Sequence, residues 1–372
     1  MIKINPFICQ DAYRKKKSEA FFGGLRFLAA LFLLCTLSFS LCGCVDQHPE
    51  NEDTQESSQQ TEESSLKEED SKGSNSGDSV SEELSAMLEI TDEAEKAAVE
   101  AAKEKVEGLG REPKLIATSP AVADICDRLQ LDLVGVCESS SEIPSRYDGV
   151  TTVGAAMSPD MEIISSLKPD WILSPASLQS DLQPKYEAVM SEWAFLNLKS
   201  VQGMYRSIQE LGAIFGRESE ADQLVSEFTS FYSEYQKDNT EGQRPKVLIL
   251  MGLPGSYIIA TPNSYVGNLV ELAGGENVYS DTEEEFLTVN TEDMKTKEPD
   301  VILRAAHALP DQVAEMFADE FATSDIWKHF TAVQEGRVYD LSYDKFGMSA
   351  AFSYQEALKE LQPMLFPKEE KK

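Results

Sequence analysis

The feature that most constrains the fold of this chain is an internal repeat in its last 260 residues. Pro113-Lys-Leu-Ile-Ala117 and Pro245-Lys-Val-Leu-Ile249 each open an apolar run with Pro-Lys, and they begin 132 residues apart. Two further apolar runs follow Pro-Asp pairs that start at Pro169 and Pro299, 130 residues apart. Two landmarks that keep nearly the same offset predict two structurally similar lobes.

Within each lobe, short apolar runs alternate with amphipathic stretches, a pattern typical of a parallel sheet with crossover helices. The predicted fold class is therefore α/β, with two similar lobes built on mainly parallel sheets. In the first lobe the predicted strands are Leu115–Thr118, Leu133–Val136 and Trp171–Ser174. We expect an N-terminal lobe at 113–200 and a C-terminal lobe with its tail at 244–372.

A long stretch without proline separates the two lobes. Apolar residues recur at helical spacing throughout Val201–Lys237, and Gly212 and Gly216 soften this pattern without ending it. We therefore predict one long rigid helix between the lobes, inside a linking segment at 201–243. Such a connector would resist large hinge closure.

The N-terminus has the features of an export signal. The basic run Arg14–Lys17 precedes an apolar run at Phe27–Leu41, which is short for a spanning helix of roughly 20 residues. The apolar run ends in Leu41-Cys-Gly-Cys44, which resembles a bacterial lipoprotein signal. That resemblance implies removal of residues 1–43 and attachment of lipid, including palmitate, to Cys44. An uncleaved anchor helix is the alternative, and in either case the rest of the chain lies outside the cytoplasmic membrane.

The segment 44–112 differs from the lobes in composition. Glu, Asp, Ser and Gln dominate Asp46–Ser85, so this stretch is too polar to bury a core and is predicted to be a disordered tether. A short helix is predicted at Thr91–Leu109 from its Ala, Glu and Lys content. The whole chain has 33 basic and 65 acidic residues. This balance excludes nucleic acid as a partner, because phosphate contacts need clustered Lys and Arg.

Two cysteines remain outside the signal and the lipid site, Cys126 and Cys137. They fall in a predicted helix and in the strand after it. They could form a disulfide, but nothing else in the sequence indicates a disulfide framework, so we interpret them as buried free thiols.

Several motifs in the lobes together resemble one family. They are Val153-Gly-Ala-Ala-Met157-Ser-Pro-Asp160, Val247-Leu-Ile-Leu-Met251-Gly-Leu-Pro-Gly-Ser-Tyr257, Leu272-Ala-Gly-Gly-Glu276-Asn-Val278, Ile302-Leu-Arg-Ala-Ala-His307, Asp325-Ile-Trp-Lys-His-Phe330 and Phe346-Gly-Met-Ser-Ala350. Over roughly Pro113–Leu365 the chain resembles the solute-binding lipoproteins of ABC importers for iron–siderophores, cobalamin and haem, and above all haem receptors of the IsdE type. The resemblance implies a class III periplasmic-binding-protein architecture, with one helix bridging the lobes and the ligand in the cleft.

The resemblance also implies haem b as the bound group, with its iron held axially by Met157 and His307. The chemistry of these residues agrees, because thioether sulfur and imidazole nitrogen both bind haem iron. His307 follows a strand, and the carboxyl ends of strands are where open α/β sheets hold ligands. Taken alone, a methionine is more often core filler. We expect Met157 at a turn-to-helix junction, with Ser158 as the N-cap and Pro159 in the first turn.

The haem propionates need hydrogen-bond donors. Ser119-Pro120 opens a helix directly after the first strand, and the free N–H groups at a helix start bind anions. Thr118, Ser119 and Ala121 are therefore candidate propionate donors, and Arg146 could add positive charge. Ser119 could equally serve only as the cap of its helix.

Two glutamates are candidates for docking to a permease. Glu162 follows the methionine motif, and Glu276 lies in Gly274-Gly-Glu-Asn277. In the family that the chain resembles, one glutamate in each lobe pairs with arginines of the permease, and two such contacts would orient the protein over a two-fold transporter. Ordinary solvated surface charges are the alternative.

The sequence therefore predicts a haem receptor, lipid-anchored on the outer face of the cytoplasmic membrane of a Gram-positive bacterium. Its partners would be cell-surface haem-relay proteins and the ABC permease with its ATPase. A receptor for an iron–siderophore or a corrinoid on the same scaffold is the alternative. We do not expect an enzyme, because the sequence contains no Gly-x-Ser-x-Gly, His-Glu-x-x-His or phosphate-loop motif.

Overall fold

The apolar runs of the two predicted lobes form two separate sheets. The computed structural model describes residues 3–4, 84, 88–237 and 244–367. Except for Lys3 and Ile4, the predicted signal lies outside the described residues, as do Cys44 and most of the tether. No helix within the described ranges is long and apolar enough to cross a bilayer.

The first sheet is built from the N-terminal half of the chain. Its strands are β1 Lys3–Ile4, β2 Leu115–Ala117, β3 Leu133–Glu138, β4 Thr151–Ala155, β5 Ser158–Pro159, β6 Trp171–Pro175 and β7 Glu192–Leu196. The helices of this half are α1 Glu93–Gly108, α2 Pro120–Arg128, α3 Met161–Leu167 and α4 Gln179–Ala188. The spatial order is β1-β7-β6-β2-β3-β4-β5, with β1 and β5 antiparallel at the two edges and the five strands between them parallel.

The second sheet is built from the C-terminal half. Its strands are β8 Lys246–Leu253, β9 Ser256–Ala260, β10 Glu276–Asn277, β11 Phe286–Leu287, β12 Val301–Ala306 and β13 Val338–Asp340. The helices that follow α4 are α5 Val201–Phe215, α6 Glu218–Lys237, α7 Tyr265–Leu272, α8 Thr291–Thr296, α9 Pro310–Thr323, α10 Thr331–Gln334 and α11 Tyr354–Leu365. The order is β11-β9-β8-β12-β13, and β10 also pairs with β8. The predicted α/β class is confirmed, and so are the three predicted strands, whose ends shift by one or two residues.

The Pro-Asp repeat has a structural role in both lobes. The Asp170 carboxylate accepts a hydrogen bond from the backbone N–H of Lys114 at 2.7 Å, and the Asp300 carboxylate accepts one from Lys246 at 2.8 Å. Each aspartate thus caps the first residues of the neighbouring Pro-Lys strand, so the two landmarks of the sequence repeat meet in space. In the first lobe Arg111 adds a bidentate contact, which holds the pKa of Asp170 below its usual range.

The prediction of a single long helix between the lobes is wrong. Helix α5 ends at Phe215 and α6 begins at Glu218, because Gly216 adopts the left-handed conformation with φ of 65° and caps the first helix. Glycine takes this conformation without the steric cost that other residues meet, and it is the usual terminator of helices. The chain then turns back, and Tyr205 of α5 stacks on Phe228 of α6 with ring centroids 4.4 Å apart.

This helical hairpin joins the two lobes through a shared core. Tyr354 of α11 packs edge-on against Tyr205 and Phe228 at 6.0 and 5.6 Å, and one cluster of buried side chains continues from the first sheet to the second. Arg128 of α2 also lies over the ring of Phe352, 3.8 Å from its centroid. The sequence predicted that a single helix would make the connection between the lobes rigid. In the structure, the packing of three helices, α5, α6 and α11, provides this connection.

Helix α1 confirms the helix predicted after the tether, and it packs on the joint. The Glu95 carboxylate is buried and pairs with Arg206 of α5 at 2.6 Å. Val99 and Ala102, four and seven residues after Glu95, are buried on the same face. The globular part therefore includes this helix, although its sequence alone did not show whether it packs.

Replacing Gly216 with alanine tests the break between α5 and α6. The added methyl group meets no atom within 4 Å, so the left-handed backbone is the source of the expected loss of about 1–2 kcal/mol. Urea unfolding measures this loss. Gly108→Ala is the matched control, since Gly108 lies at a helical position with equal space around it. A Gly216→Ala variant as stable as the parent would contradict the break.

Candidate functional site

Met157 occupies the tip of a β-hairpin in the N-terminal lobe. Ala155 pairs with Ser158 across strands β4 and β5, which leaves Ala156 and Met157 as a two-residue turn. The Met157 side chain is 73% exposed. A methionine that fills a core is buried, so the most common role of a lone methionine is excluded for this residue.

The predicted turn-to-helix junction at Met157 needs correction. Ser158 and Pro159 belong to strand β5 and do not start a helix. Helix α3 begins at Met161, and its N-cap is Asp160, whose carboxylate accepts hydrogen bonds from the backbone N–H groups of Glu162 and Ile163 at 2.9 and 3.0 Å. The hairpin holds Met157 farther from the helix than the sequence indicated.

His307 lies directly after strand β12 in the C-terminal lobe. Its backbone N–H donates to the carbonyl oxygen of Gly252 at 2.9 Å, which fixes the residue at the carboxyl end of neighbouring strand β8. Its Nδ1 is buried and has no hydrogen-bond partner among the described residues. Nε2 is therefore the nitrogen that remains available to a ligand.

Most of the exposed apolar side chains share the position of these two residues, just beyond the carboxyl ends of strands. Five large apolar residues of the described ranges are exposed, and four of them lie on loops that follow the carboxyl ends of strands: Met157 after β4, Leu309 after β12, and Tyr343 and Met348 after β13. Only Met190 lies elsewhere, just before β7. Exposed apolar groups gathered at one kind of edge in both lobes indicate a binding surface for an apolar ligand. Sequence analysis missed Leu309, Tyr343 and Met348 because apolar residues in a sequence are first assigned to the core.

A cavity of about 590 Å³ lies between the lobes. Its lining comes from the start of α2, from the loop after β3 and from the loop after β13, and it includes Ser119, Ala121 and Met348. Met157 and His307 are not among the described residues that line it. Four carboxylates also line this space, namely Asp124, Asp127, Glu142 and Asp344. Burial raises the pKa of Asp124, although Arg128 partly opposes this effect.

Two of the predicted propionate donors lie in this cavity. Ser119 is the N-cap of α2, and its Oγ accepts the N–H of Val122 at 3.3 Å. Ala121 is the second residue of the helix, where a backbone N–H has no partner inside the helix. Ser119 therefore does cap its helix, and the adjacent N–H of Ala121 stays available for an anion.

Thr118 is placed differently from the prediction. It is 1% exposed, and its hydroxyl donates to the carbonyl oxygen of Leu173 at 3.2 Å. Ser174 Oγ lies 2.6 Å from the same hydroxyl oxygen and 2.8 Å from the Tyr186 hydroxyl. The chain of bonds then runs from Tyr186 through Ser174 to Thr118, and no donor of the Thr118 side chain is left for a ligand.

Arg146 is also directed away from the predicted role. Its Nη2 donates to the Asp132 carboxylate at 2.7 Å and to the carbonyl oxygen of Gln130 at 3.3 Å. Asp132 directly precedes β3, so the guanidinium lies at the amino end of the strands. The candidate ligand residues lie at the carboxyl ends, so these two bonds direct Arg146 away from them.

The two glutamates predicted for docking, Glu162 and Glu276, do not occupy equivalent positions in the two lobes. Glu162 lies exposed in the first turn of α3 after the N-cap Asp160, and Glu292 lies exposed in the first turn of α8 after the N-cap Asn290. Both helices carry the same pattern of buried and exposed residues. Glu162 and Glu292 are 130 residues apart, and so are the N-caps Asp160 and Asn290. This is the offset of the Pro-Asp repeat. Glu276 instead lies in strand β10, opposite Lys246 at the amino end of β8. Glu292 is therefore the equivalent of Glu162.

Two cysteines and two histidines lie outside the proposed ligand set. Cys126 and Cys137 are both buried and free, which confirms their interpretation as free thiols. Burial raises their pKa to about 12 and about 11. His329 is exposed in a short 3-10 turn, and His48 lies outside the described residues.

Two α/β lobes with candidate ligand residues at the carboxyl ends of their strands define a two-lobed solute-binding protein. A family model described as periplasmic binding protein matches residues 115–344. The chain belongs to this family, whose members bind solutes, and the prediction that it is not an enzyme is confirmed.

Three relatives make the similarity more specific. The chain is 38% identical over 254 residues to the high-affinity heme uptake system protein IsdE of Staphylococcus aureus strain Newman, covering 68% of this chain and 87% of that protein. An ABC transporter substrate-binding protein from Listeria monocytogenes EGD-e superposes with a TM-score of 0.66 at 47% identity, covering 69% of this chain and 99% of that one. The structure of S. aureus IsdE complexed with heme gives 0.65 at 37% identity, with 69% and 100% covered. The resemblance drawn from the motifs is confirmed.

Replacing Thr118 with valine tests the role of its buried hydroxyl. Valine keeps the shape but leaves the Ser174 proton without its acceptor, so we expect a loss of about 1–3 kcal/mol of stability in thermal or urea unfolding. Thr152→Val, on an exposed position of β4, is the control and should change stability by less than about 0.5 kcal/mol. Unchanged stability in Thr118→Val would restore Thr118 as a candidate ligand donor.

Proposed function

We propose that this protein is a membrane-anchored haem receptor that captures haem between its two lobes and delivers it to an ABC permease for iron acquisition. The observation that carries the proposal is the placement of one exposed thioether, Met157, and one imidazole with a free Nε2, His307, at carboxyl ends of strands in different lobes. The 38% identity to a heme uptake protein supports the same ligand.

Met157 and His307 would serve as the two axial ligands of the haem iron. Thioether sulfur and neutral imidazole nitrogen are both established ligands of haem iron, and the pair raises the reduction potential relative to histidine alone. With Nδ1 covered by protein, Nε2 of His307 would hold the iron. The chain supplies no acceptor for Nδ1 among its described residues, so nothing there strengthens this ligand in the way that a carboxylate partner would.

The exposed apolar side chains would contact the porphyrin disc. Leu309, Tyr343 and Met348 lose water contact when an apolar disc covers them, and such burial favours binding by about 25 cal/mol per Å². The propionates would take the cavity at the start of α2, with the Ala121 N–H and the Ser119 hydroxyl as donors. The bonds made by Thr118 and Arg146 leave both out of the proposed site.

Docking to the permease would use Glu162 and Glu292. Each lies exposed at the start of an equivalent short helix, one in each lobe. Two carboxylates on repeat-related surfaces suit a transporter with two-fold symmetry, because each half of the transporter would meet the same local structure.

Attachment to the outer face of the membrane through lipid on Cys44 completes the proposal. It rests on the Leu41-Cys-Gly-Cys44 motif and the acidic segment that follows. Haem would come from cell-surface relay proteins. The tether would give the lobes reach, because charged linkers repel themselves and extend.

The second candidate is a receptor for an iron–siderophore or a corrinoid. It is favoured by the four carboxylates in the cavity between the lobes, which oppose the propionates of haem. Such ligands need no axial methionine and histidine from the protein, so the iron spectrum distinguishes the two functions.

Alanine substitution of the two proposed ligands tests the haem site. The purified parent protein with haemin should give a six-coordinate low-spin absorbance spectrum, and Met157→Ala and His307→Ala should each lose it and bind haem at least about 10-fold more weakly. Met190→Ala is the matched control, since Met190 is a thioether that is 92% exposed far from the site along the sheet. Spectra unchanged by both ligand substitutions would refute the site.

Charge reversal tests the docking pair. Glu162→Lys combined with Glu292→Lys should abolish haem uptake by whole cells, because both proposed salt bridges become repulsions, while haem binding by the purified protein stays intact. Glu276→Lys is the control and should support normal uptake. If Glu276→Lys abolishes uptake and the double reversal does not, the assignment of Glu292 fails.

A further inference from the structure

Leu309 has a backbone conformation that its local structure does not explain. Five residues other than glycine have positive φ in the described ranges: Gln130, Lys168, Met190, Glu298 and Leu309. The first four lie at the carboxyl ends of helices, where the left-handed conformation is a common terminator. Leu309, with φ of 50° and ψ of 61°, instead precedes helix α9.

Three features make this conformation unfavourable. A leucine in the left-handed region brings its Cβ close to the following carbonyl oxygen. Pro310 follows, and proline favours an extended conformation for the residue before it. Six other helices begin after a Ser, Asp or Asn whose side chain caps the first turn, whereas Leu309 offers no such bond.

Burial does not compensate these costs in the free protein. The Leu309 side chain is 55% exposed, so much of its apolar surface stays in water. Residues held in unfavourable conformations cluster at active sites and ligand sites, where the strain is part of the function. The position of Leu309 fits such a role, because it follows His307 by two residues at the carboxyl end of β12.

The loop after the neighbouring strand extends the same apolar surface. Strand β13 pairs with β12 in parallel, so the residues that follow both strands emerge at one edge. Tyr343 and Met348 lie on the loop after β13, and both are exposed. Leu309 is thus the member of this surface nearest in sequence to the proposed iron ligand.

We propose that Leu309 is a haem-positioning residue that packs against the porphyrin on the side of His307 and shields the bond between iron and Nε2 from water. This role rests on the haem-receptor function proposed above. The turn at Leu309 keeps the side chain exposed in the free protein, and haem covers it on binding. Water that reaches the iron–histidine bond helps haem to leave, so shielding by Leu309 slows haem dissociation.

The test compares two substitutions of Leu309 in the full chain. Leu309→Asn removes the apolar contact but suits the left-handed backbone, so haem dissociation into excess apomyoglobin should become roughly 5–10-fold faster while the melting temperature of the haem-free protein does not fall. Leu309→Met keeps a large apolar side chain and should dissociate haem as slowly as the parent.

Met190→Asn is the matched control. Met190 is also exposed and left-handed, with φ of 56°, but it lies before β7 at the amino ends of the strands. Its substitution should leave haem dissociation unchanged. If the parent protein shows no low-spin haem spectrum, both the proposed receptor function and the proposed role of Leu309 are refuted. A normal parent spectrum with unchanged dissociation in Leu309→Asn, or with a lowered melting temperature as its only effect, would overturn the role of Leu309 alone.

Discussion

The packing of Tyr205 against Phe228 and Tyr354 is the interaction on which the relation between the lobes depends. These rings come from α5, α6 and α11, and the hydroxyls of Tyr205 and Tyr354 lie 3.2 Å apart. Because buried cores are close-packed, such a joint deforms far less than a single linker would. The cleft between the lobes is therefore largely set before a ligand arrives, which lowers the ordering cost of binding.

Several polar contacts also fasten the segment between β7 and α5 to the second lobe. The backbone N–H of Ala350 donates to the carbonyl oxygen of Leu198 at 2.7 Å, and the backbone N–H of Val201 donates to the Asn268 side chain at 2.9 Å. Lys199 pairs with Glu285 beside them. These bonds link the segment after β7 directly to elements of the second lobe. Because the lobes of such a receptor move little, a permease would recognise the loaded protein by the ligand in the cleft more than by a closed arrangement of the lobes.

The proposed haem site combines features that favour capture with features that favour release. Apolar side chains and a thioether stand exposed in the free protein, so covering them favours binding. Against this, the cavity at α2 holds four carboxylates, and the Nδ1 of His307 has no acceptor among the described residues. A transport protein must give up its cargo, and both features lower the affinity without removing a ligand.

The internal repeat made the two lobes predictable, because its Pro-Asp residues make equivalent hydrogen bonds in both. The break at Gly216 was not predictable from apolar spacing, since the hydrophobic pattern continues through the hairpin while only the backbone reverses. The hairpin at Met157 depends on Gly154, with φ of 88° and the Ser158 carbonyl oxygen 3.2 Å from where a Cβ would lie. Such backbone contacts leave no periodic signal.

The candidate site was predictable to a different degree for each residue. Met157 and His307 came from the resemblance to the family, and composition alone would have assigned the methionine to the core. Arg146 was misjudged because the direction of a long side chain depends on its partner, here Asp132. The equivalence of Glu162 with Glu292 was present in the 130-residue offset, but the structure was needed to show that the two helices have equivalent N-caps, Asp160 and Asn290.

Titration of the purified protein with haemin tests the central claim most directly. The account predicts saturation at one haem per chain, with a six-coordinate low-spin spectrum, and no displacement by a ferric siderophore or a corrinoid. A chain that leaves the haemin spectrum unchanged, or that binds one of those other ligands in preference, would contradict it.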